Sequence, residues 1–229
     1  MVSGKLCTAI VAKDPDAMIR SAEQAFGEET DIVEFRLDYL TRIEEDLPER
    51  LSGFSDRCII TIRTKSQGGA FAGPEEERLR LLEGFSRIRP LYLDIELDVA
   101  KANPGTAKVL LKNCKNVIFS FHDFNYTPGL EVLVKKYKDA TELGGIAKIV
   151  TMAKSQQDNI TSMLLYREVV RDGTLIAFTM GELGALTRIL CLYAGSPISY
   201  VSLGSNASAP GQIPLETMKK LIINNLVVL

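Results

Sequence analysis

Two side chains in this sequence have the type and setting for carbonyl chemistry. Lys148 is the single ammonium in Gly144-Gly145-Ile146-Ala147-Lys148-Ile149-Val150-Thr151, a run that otherwise reads as a buried strand. Burial disfavours a charged amine, and a free amine adds to ketones and aldehydes to form a Schiff base. His122, the chain's only histidine, closes the apolar run Val117-Ile118-Phe119-Ser120-Phe121. Its ordinary pKa of ~6.5 suits proton transfer beside such an amine. A strand-end lysine that snorkels to water and a satisfied structural histidine fit the same local sequence, so the surrounding elements must decide.

Short β-rich runs alternate with segments of helical period, the pattern of repeated βα units around a parallel sheet. The strands read as Leu6–Ala12, Ile32–Asp38, Cys58–Arg63, Leu91–Glu96, Val117–His122, Gly145–Val150, Thr174–Thr179 and Ser199–Ser202. Helices are expected over Pro74–Ser86, Ser155–Arg171 and Pro214–Leu229, among others, and no linker divides residues 1–229. Eight units in this length predict one α/β domain, a compact (β/α)8 TIM barrel. A doubly wound open sheet is the alternative, but no G-x-G-x-x-G follows the first strand.

Period-two parity then sorts the polar residues. In Ile32-Val33-Glu34-Phe35-Arg36-Leu37-Asp38 the apolar set must meet the helices, which turns Glu34, Arg36 and Asp38 inward. The same rule sends Thr61, Arg63, Asp94, Glu96, Ser120, His122 and Lys148 to the interior. Their convergence at the C-terminal ends of five consecutive strands is where barrels hold active sites. Glu34 is expected either to hydrogen-bond the His122 ring or to pair with Arg36 or Arg63.

Composition narrows the classes of partner. The 27 basic and 29 acidic residues nearly cancel and are dispersed, which argues against nucleic acid. No apolar run has the length of a membrane span and the start lacks a signal-peptide pattern, so a cytoplasmic protein is expected. Cys7, Cys58, Cys114 and Cys191 lie far apart without CxxC spacing, which predicts reduced core thiols and no zinc site. Asp94, Glu96 and Asp98 cluster near one strand end, but one histidine and no complementary ligand motif argue against a metal.

Six segments together resemble the type I 3-dehydroquinate dehydratases, the Schiff-base class of the shikimate pathway. They are Val33-Glu34-Phe35-Arg36-Leu37-Asp38, Thr61-Ile62-Arg63, Ser120-Phe121-His122-Asp123-Phe124, Ala147-Lys148-Ile149, Met180 through Arg188, and Ser208-Ala209-Pro210-Gly211-Gln212. The resemblance implies a lyase of aromatic amino acid biosynthesis that removes water from 3-dehydroquinate by syn elimination. It casts Lys148 as the imine-forming amine, His122 as the general base and acid, and Glu34 as the group that positions His122. Arg36, Arg63, Arg188, Ser208 and Gln212, with Glu34, would bind substrate carboxylate and hydroxyls, and the loop at Ser208–Gln212 would act as a lid. No external cofactor is implied, and a homodimer is the expected assembly. The chain departs from the pattern at Gln67-Gly68-Gly69, which stands where many members carry a glutamate before the glycine pair, and its first strand, expected from about Leu6, leaves no room for the N-terminal hairpin of some relatives.

Two rival readings fit the same residues. A class I aldolase also uses a barrel lysine, yet many such enzymes hold phosphate on glycine-rich helix N-termini, whereas Arg188 and a Ser/Gln loop suit a carboxylate. A non-catalytic barrel that binds a small carboxylic acid would need neither the amine nor the imidazole in register.

Overall fold

Each apolar run becomes a parallel strand because its residues are buried on both faces, against the barrel interior and against a helix. The computed structural model describes residues 4–169, 174–204 and 209–223. Its strands are β1 (Lys5–Ile10), β2 (Ile32–Arg36), β3 (Cys58–Thr61), β4 (Tyr92–Glu96), β5 (Val117–Asp123), β6 (Ile146–Met152), β7 (Leu175–Met180), β8 (Ile198–Ser202) and a short β9 (Ile213–Pro214). The ladder runs β7-β6-β5-β4-β3-β2-β1-β8-β9, and every pairing is parallel. This is the expected α/β barrel, a curled sheet with helices outside.

The helices are α1 (Pro15–Gly27), α2 (Leu47–Leu51), α3 (Glu75–Ser86), α4 (Leu97–Ala102), α5 (Pro104–Asn113), α6 (Leu130–Glu142), α7 (Gln156–Val169), α8 (Thr187–Tyr193) and α9 (Leu215–Ile223). Local signals set their starts. Asp14 caps α1 by accepting from the Ala17 amide at 2.8 Å, with Pro15 in the first turn. Pro74 precedes three glutamates at the N-terminus of α3, where the helix dipole favours negative charge. The helix read to Arg171 is described to Val169 and the one read to Leu229 to Ile223; the remainders lie outside the described residues.

Packing on the two faces of β2 follows its period-two parity. Phe35 of β2 meets Phe54 edge-on at 5.5 Å between ring centroids, and Phe54 stacks on Phe26 of α1 at 6.1 Å. That aromatic column fixes the outward face of β2 and so turns Glu34 and Arg36 inward. Strands β2 and β3 end two residues earlier than expected, because Leu37–Tyr39 turns into a 3-10 helix and Arg63 leads directly into a tight loop.

The ladder has one seam. Among the described residues no β7–β8 pairing occurs, and β9 occupies the edge of β8 that would otherwise face β7. Side chains satisfy the exposed backbone of β7 instead. The Tyr166 hydroxyl of α7 accepts from the Ala177 amide at 2.7 Å and donates to the Ala177 carbonyl at 2.9 Å, while Thr187 Oγ1 receives the Thr179 amide at 2.9 Å. Across the gap, the rings of Phe178 and Tyr200 lie 6.1 Å apart.

Candidate active site

The buried lysine of β6 does not sit in an apolar slot. Lys148 is 4% exposed, and its Nζ lies 3.1 Å from Asp94 Oδ2 and 3.5 Å from Glu34 Oε1. The Tyr200 ring lies over it at 4.1 Å, a cation–π contact, and Lys148 also lines the pocket at the barrel mouth. Register explains the meeting, since Ser120 pairs with both Glu96 and Lys148 across β4, β5 and β6. The expected desolvated amine is therefore a caged one, flanked by two carboxylates.

Asp94 ties the cage together. It accepts from Lys148, from Arg63 at 2.8 Å and from Ser120 Oγ at 2.6 Å, and Arg63 also donates to Ser120 Oγ at 2.5 Å. Burial alone would raise its pKa, but Arg63 and Lys148 outweigh it and hold the carboxyl well below the usual range. Burial likewise opposes the charge on Arg63, and Asp94 and Glu96 keep that guanidinium firmly protonated. Sequence parity had turned Asp94 toward the mouth without giving it a partner; its neighbours are Lys148, Arg63 and Ser120.

His122 lies at the end of β5, and Gln67 rather than Glu34 holds it. One oxygen, Gln67 Oε1, faces both the His122 backbone nitrogen at 3.2 Å and ring Nδ1 at 3.3 Å. A backbone amide only donates, so the facing atom must be the amide oxygen, and Nδ1 opposite it must carry hydrogen. Nε2 is then the nitrogen with a free lone pair. Burial lowers the His122 pKa well below its ordinary value, and Arg63 and Lys148 push the same way, so the ring is neutral near pH 7.

Glu34 takes the place expected of it only in part. It lines the pocket but accepts from Thr61 Oγ1 at 2.9 Å and faces Lys148, so it serves the amine and not the imidazole. Thr61 is the neighbour at hand, since β2 pairs with β3 and Arg36 lies opposite Thr61 in that ladder. Asp38 also departs from expectation. It holds Arg36 in a two-pronged pair at 3.0 and 2.8 Å and accepts the Ala70 amide at 3.0 Å, behind the mouth.

The loop with Gln67 needs its two glycines. Gly68 has φ 76°, and a Cβ on it would strike the Phe124 ring; a Cβ on Gly69 would strike the Arg63 carbonyl. This close approach sets Gln67 against His122. Glu-to-Gln exchange at residue 67 was visible in the sequence, but only the fold shows which group it touches.

Arg188 is the remaining charge at the mouth. It follows β7, is 1% exposed, lies over the Phe178 ring at 4.5 Å and donates to the Pro210 carbonyl at 3.2 Å. Among the described residues no carboxylate pairs with it, and its Nε has no hydrogen-bond partner. Burial lowers its pKa to about 10, which leaves it charged at neutral pH. Gln212 lines the same pocket and spends its amide nitrogen on the Val201 carbonyl at 2.8 Å. Ser208 lies outside the described residues.

Glu34, Arg36, Arg63, Gln67, His122, Lys148, Arg188 and Gln212 thus surround one pocket, whose apolar walls are Phe124, Val150, Phe178, Met180 and Tyr200. The last three come from β7 and β8, where the same period-two rule could have pointed them out. Such a mouth, with an amine, an imidazole and an unneutralised guanidinium on a parallel barrel, defines a barrel enzyme for a small carbonyl acid.

The family model for type I 3-dehydroquinase matches residues 6–224, and the chain belongs to that family. It is 36% identical over 220 residues to the 3-dehydroquinate dehydratase of Methanocaldococcus jannaschii, covering 94% of this chain and 96% of that protein. The Pyrococcus abyssi 3-dehydroquinate dehydratase is 35% identical over 219 residues, covering 95% and 96%. Among solved structures, the Geobacillus kaustophilus 3-dehydroquinate dehydratase superposes with a TM-score of 0.86 at 27% identity, over 99% of this chain and 93% of that one. The Aquifex aeolicus enzyme gives 0.82 at 28% identity, over 98% and 100%.

Proposed function

We propose that the protein dehydrates 3-dehydroquinate to 3-dehydroshikimate through an imine on Lys148. The observation that carries this reading is Arg188, a buried guanidinium without an acidic partner among the described residues, facing the pocket that also holds Lys148 and His122. A substrate carboxylate would complete Arg188 and set the ring ketone toward the amine. Arg36, Arg63, Glu34, Gln212 and Ser208 are the proposed partners of its remaining oxygens.

The reaction balances without an external cofactor. Lys148 passes a proton to Glu34 and adds to the ketone; Glu34 returns that proton to the carbinolamine hydroxyl, which leaves as water to give an iminium. His122 Nε2 then removes a proton from the adjacent carbon, and the electron pair moves to the iminium nitrogen. The resulting enamine expels the hydroxyl, which takes the proton back from His122 and departs as water. Hydrolysis of the conjugated imine frees Lys148 and the product. One imidazole serves both transfers when the two leaving groups share a face, which is the syn course expected of the family.

Mixing with 3-dehydroquinate should produce ultraviolet absorbance from the conjugated enone. Borohydride added during turnover should fix the ligand mass on Lys148; a folded protein giving neither signal overturns the reading. Among the described residues no helix is long and apolar enough to cross a membrane. A cytoplasmic homodimer is the proposed state, carried over from the family alone, and light scattering after gel filtration decides the assembly.

A further inference from the structure

Arg78 belongs to the outer helix layer, yet it is fully buried and reaches the back of the site. From α3 it grips Glu75 with two bonds, at 3.0 and 2.6 Å, and donates to the Ile62 carbonyl at 2.7 Å. The same guanidinium lies 2.7 Å from Glu96 Oε2 at the end of β4. The other oxygen of Glu96 does three things. It accepts the Thr64 amide at 3.1 Å and the Thr64 hydroxyl at 3.2 Å, and it lies 3.5 Å from Arg63.

These contacts join two parts of the mouth. Arg63 holds Asp94 and Ser120 beside Lys148, and Thr64 opens the turn that carries Gln67 to His122. Thr64 is bonded onward to the Gly69 amide at 2.8 Å, so an anchored Thr64 fixes the whole turn. Glu96 is 1% exposed, and a buried carboxylate seeks any available cation. Arg63 is the cation next to it.

We propose that Arg78 is a positioning residue for the dehydration reaction: by neutralising Glu96 from behind, it leaves Arg63 directed at Asp94 and the substrate. Without Arg78, Glu96 draws Arg63 from its place and slackens the Thr64 turn. The half-exposed Glu75 is the outer end of the same relay, since it orients the Arg78 fork. The proposal rests on the reading of the site as a dehydratase.

The test is a pair of variants and their double. Arg78→Met keeps the unbranched stem and removes the charge; it should raise KM for 3-dehydroquinate about tenfold, the scale of one coupled buried pair, with a smaller change in kcat. Adding Glu96→Gln in the Arg78→Met background removes the carboxylate that competes for Arg63, and should recover several-fold of the lost kcat/KM. A merely structural arginine gives no such rescue. Glu75→Gln, at the half-exposed end, should raise KM a few-fold with an unchanged circular dichroism spectrum, and serves if Arg78→Met does not fold. Kinetics within twofold of the parent for Arg78→Met, absence of rescue in the double variant, or an unaltered KM for Glu75→Gln where Arg78→Met fails to fold each overturns the proposal. Calorimetric binding of quinate, a ring hydroxy acid that lacks the ketone, separates the two readings. If the parent binds quinate but makes no enone, the dehydratase reading fails, while weaker quinate binding by the variants still upholds the positioning role and unchanged binding refutes it.

Discussion

Exchanging Gln67 for glutamate should move the acid limb of the pH–rate profile upward. Gln67 Oε1 faces His122 Nδ1 at 3.3 Å. In the parent that oxygen belongs to a neutral amide, so it fixes the tautomer without supporting imidazolium charge. Gln67→Glu puts a full negative charge at nearly the same distance. Coulomb's law makes this worth roughly 1.3 kcal/mol at the dielectric of water and roughly 5 kcal/mol at an effective value of 20. At 1.36 kcal/mol per pKa unit these limits correspond to about one and about four units, and the half-buried ring should gain an amount between them. Burial, then Arg63 and Lys148, already hold the parent His122 well below its ordinary value, so the parent's acid limb should lie below ~6.5. The glutamate variant should lose activity at a higher pH as acid is added. Because His122 is the only histidine, nitrogen-15 NMR of labelled protein reads its tautomer and titration directly, free of the other groups that shape kcat/KM. Superimposable His122 titrations in parent and variant, or a parent ring protonated at Nε2 alone, would refute the argument.

Arg188→Met should raise KM while raising Tm, because it removes both the proposed carboxylate receptor and a buried charge without an acidic partner among the described residues; a drop in Tm would contradict this. Tyr166→Phe should cost about 2–4 kcal/mol in urea unfolding, since it strips both the Ala177 amide and its carbonyl of their partner. Global stability should fall on the acid side in two stages. The folded His122 and Asp94 both have lowered pKa values, so the unfolded chain binds more protons: first below ~6.5 at the histidine, then below ~3.9 at the aspartate. His122→Gln should flatten the first stage alone, as followed by thermal melts across pH. Ellman's reagent should find no reactive thiol in the folded protein and all 4 after denaturation, because burial raises every cysteine pKa and Cys58 reaches about 12.

Strand parity was a reliable guide wherever one face of a strand had to meet a helix. Val33 and Phe35 had no other place to go, and Glu34, Arg36, Arg63, Ser120, His122 and Lys148 reached the mouth as that rule requires. Parity says which face a residue takes, but not its height or its partner. Glu34 and His122 share the interior with different partners, and the partner of the imidazole comes from a loop, Thr64–Phe71, whose path depends on glycine contacts distant in sequence. Arg78 was hidden for another reason. On a helical wheel it is one more polar residue in a glutamate-rich first turn, and only the depth of α3 against β3 and β4 buries it. The break between β7 and β8 was equally silent, because the residues that satisfy β7 are hydroxyls of α7 and α8 rather than a strand.

The segment from Ala209 to Pro214 works as the clasp of a bracelet. Its Pro210 carbonyl receives the Gly181 amide at the end of β7, and its Gln212 amide holds Val201 of β8, while Ala209 and Gln212 also wall the pocket. Gly211, at φ 72°, passes so near the Gly181 carbonyl that a side chain would not fit. Unfastening this segment to admit a ligand therefore also parts the two ends of the sheet. A bound acid that touches Gln212 and Arg188 keeps the clasp shut, so saturation should slow amide exchange through the last two βα units more than through the first six, and occupancy of the mouth becomes a force that holds the ring closed.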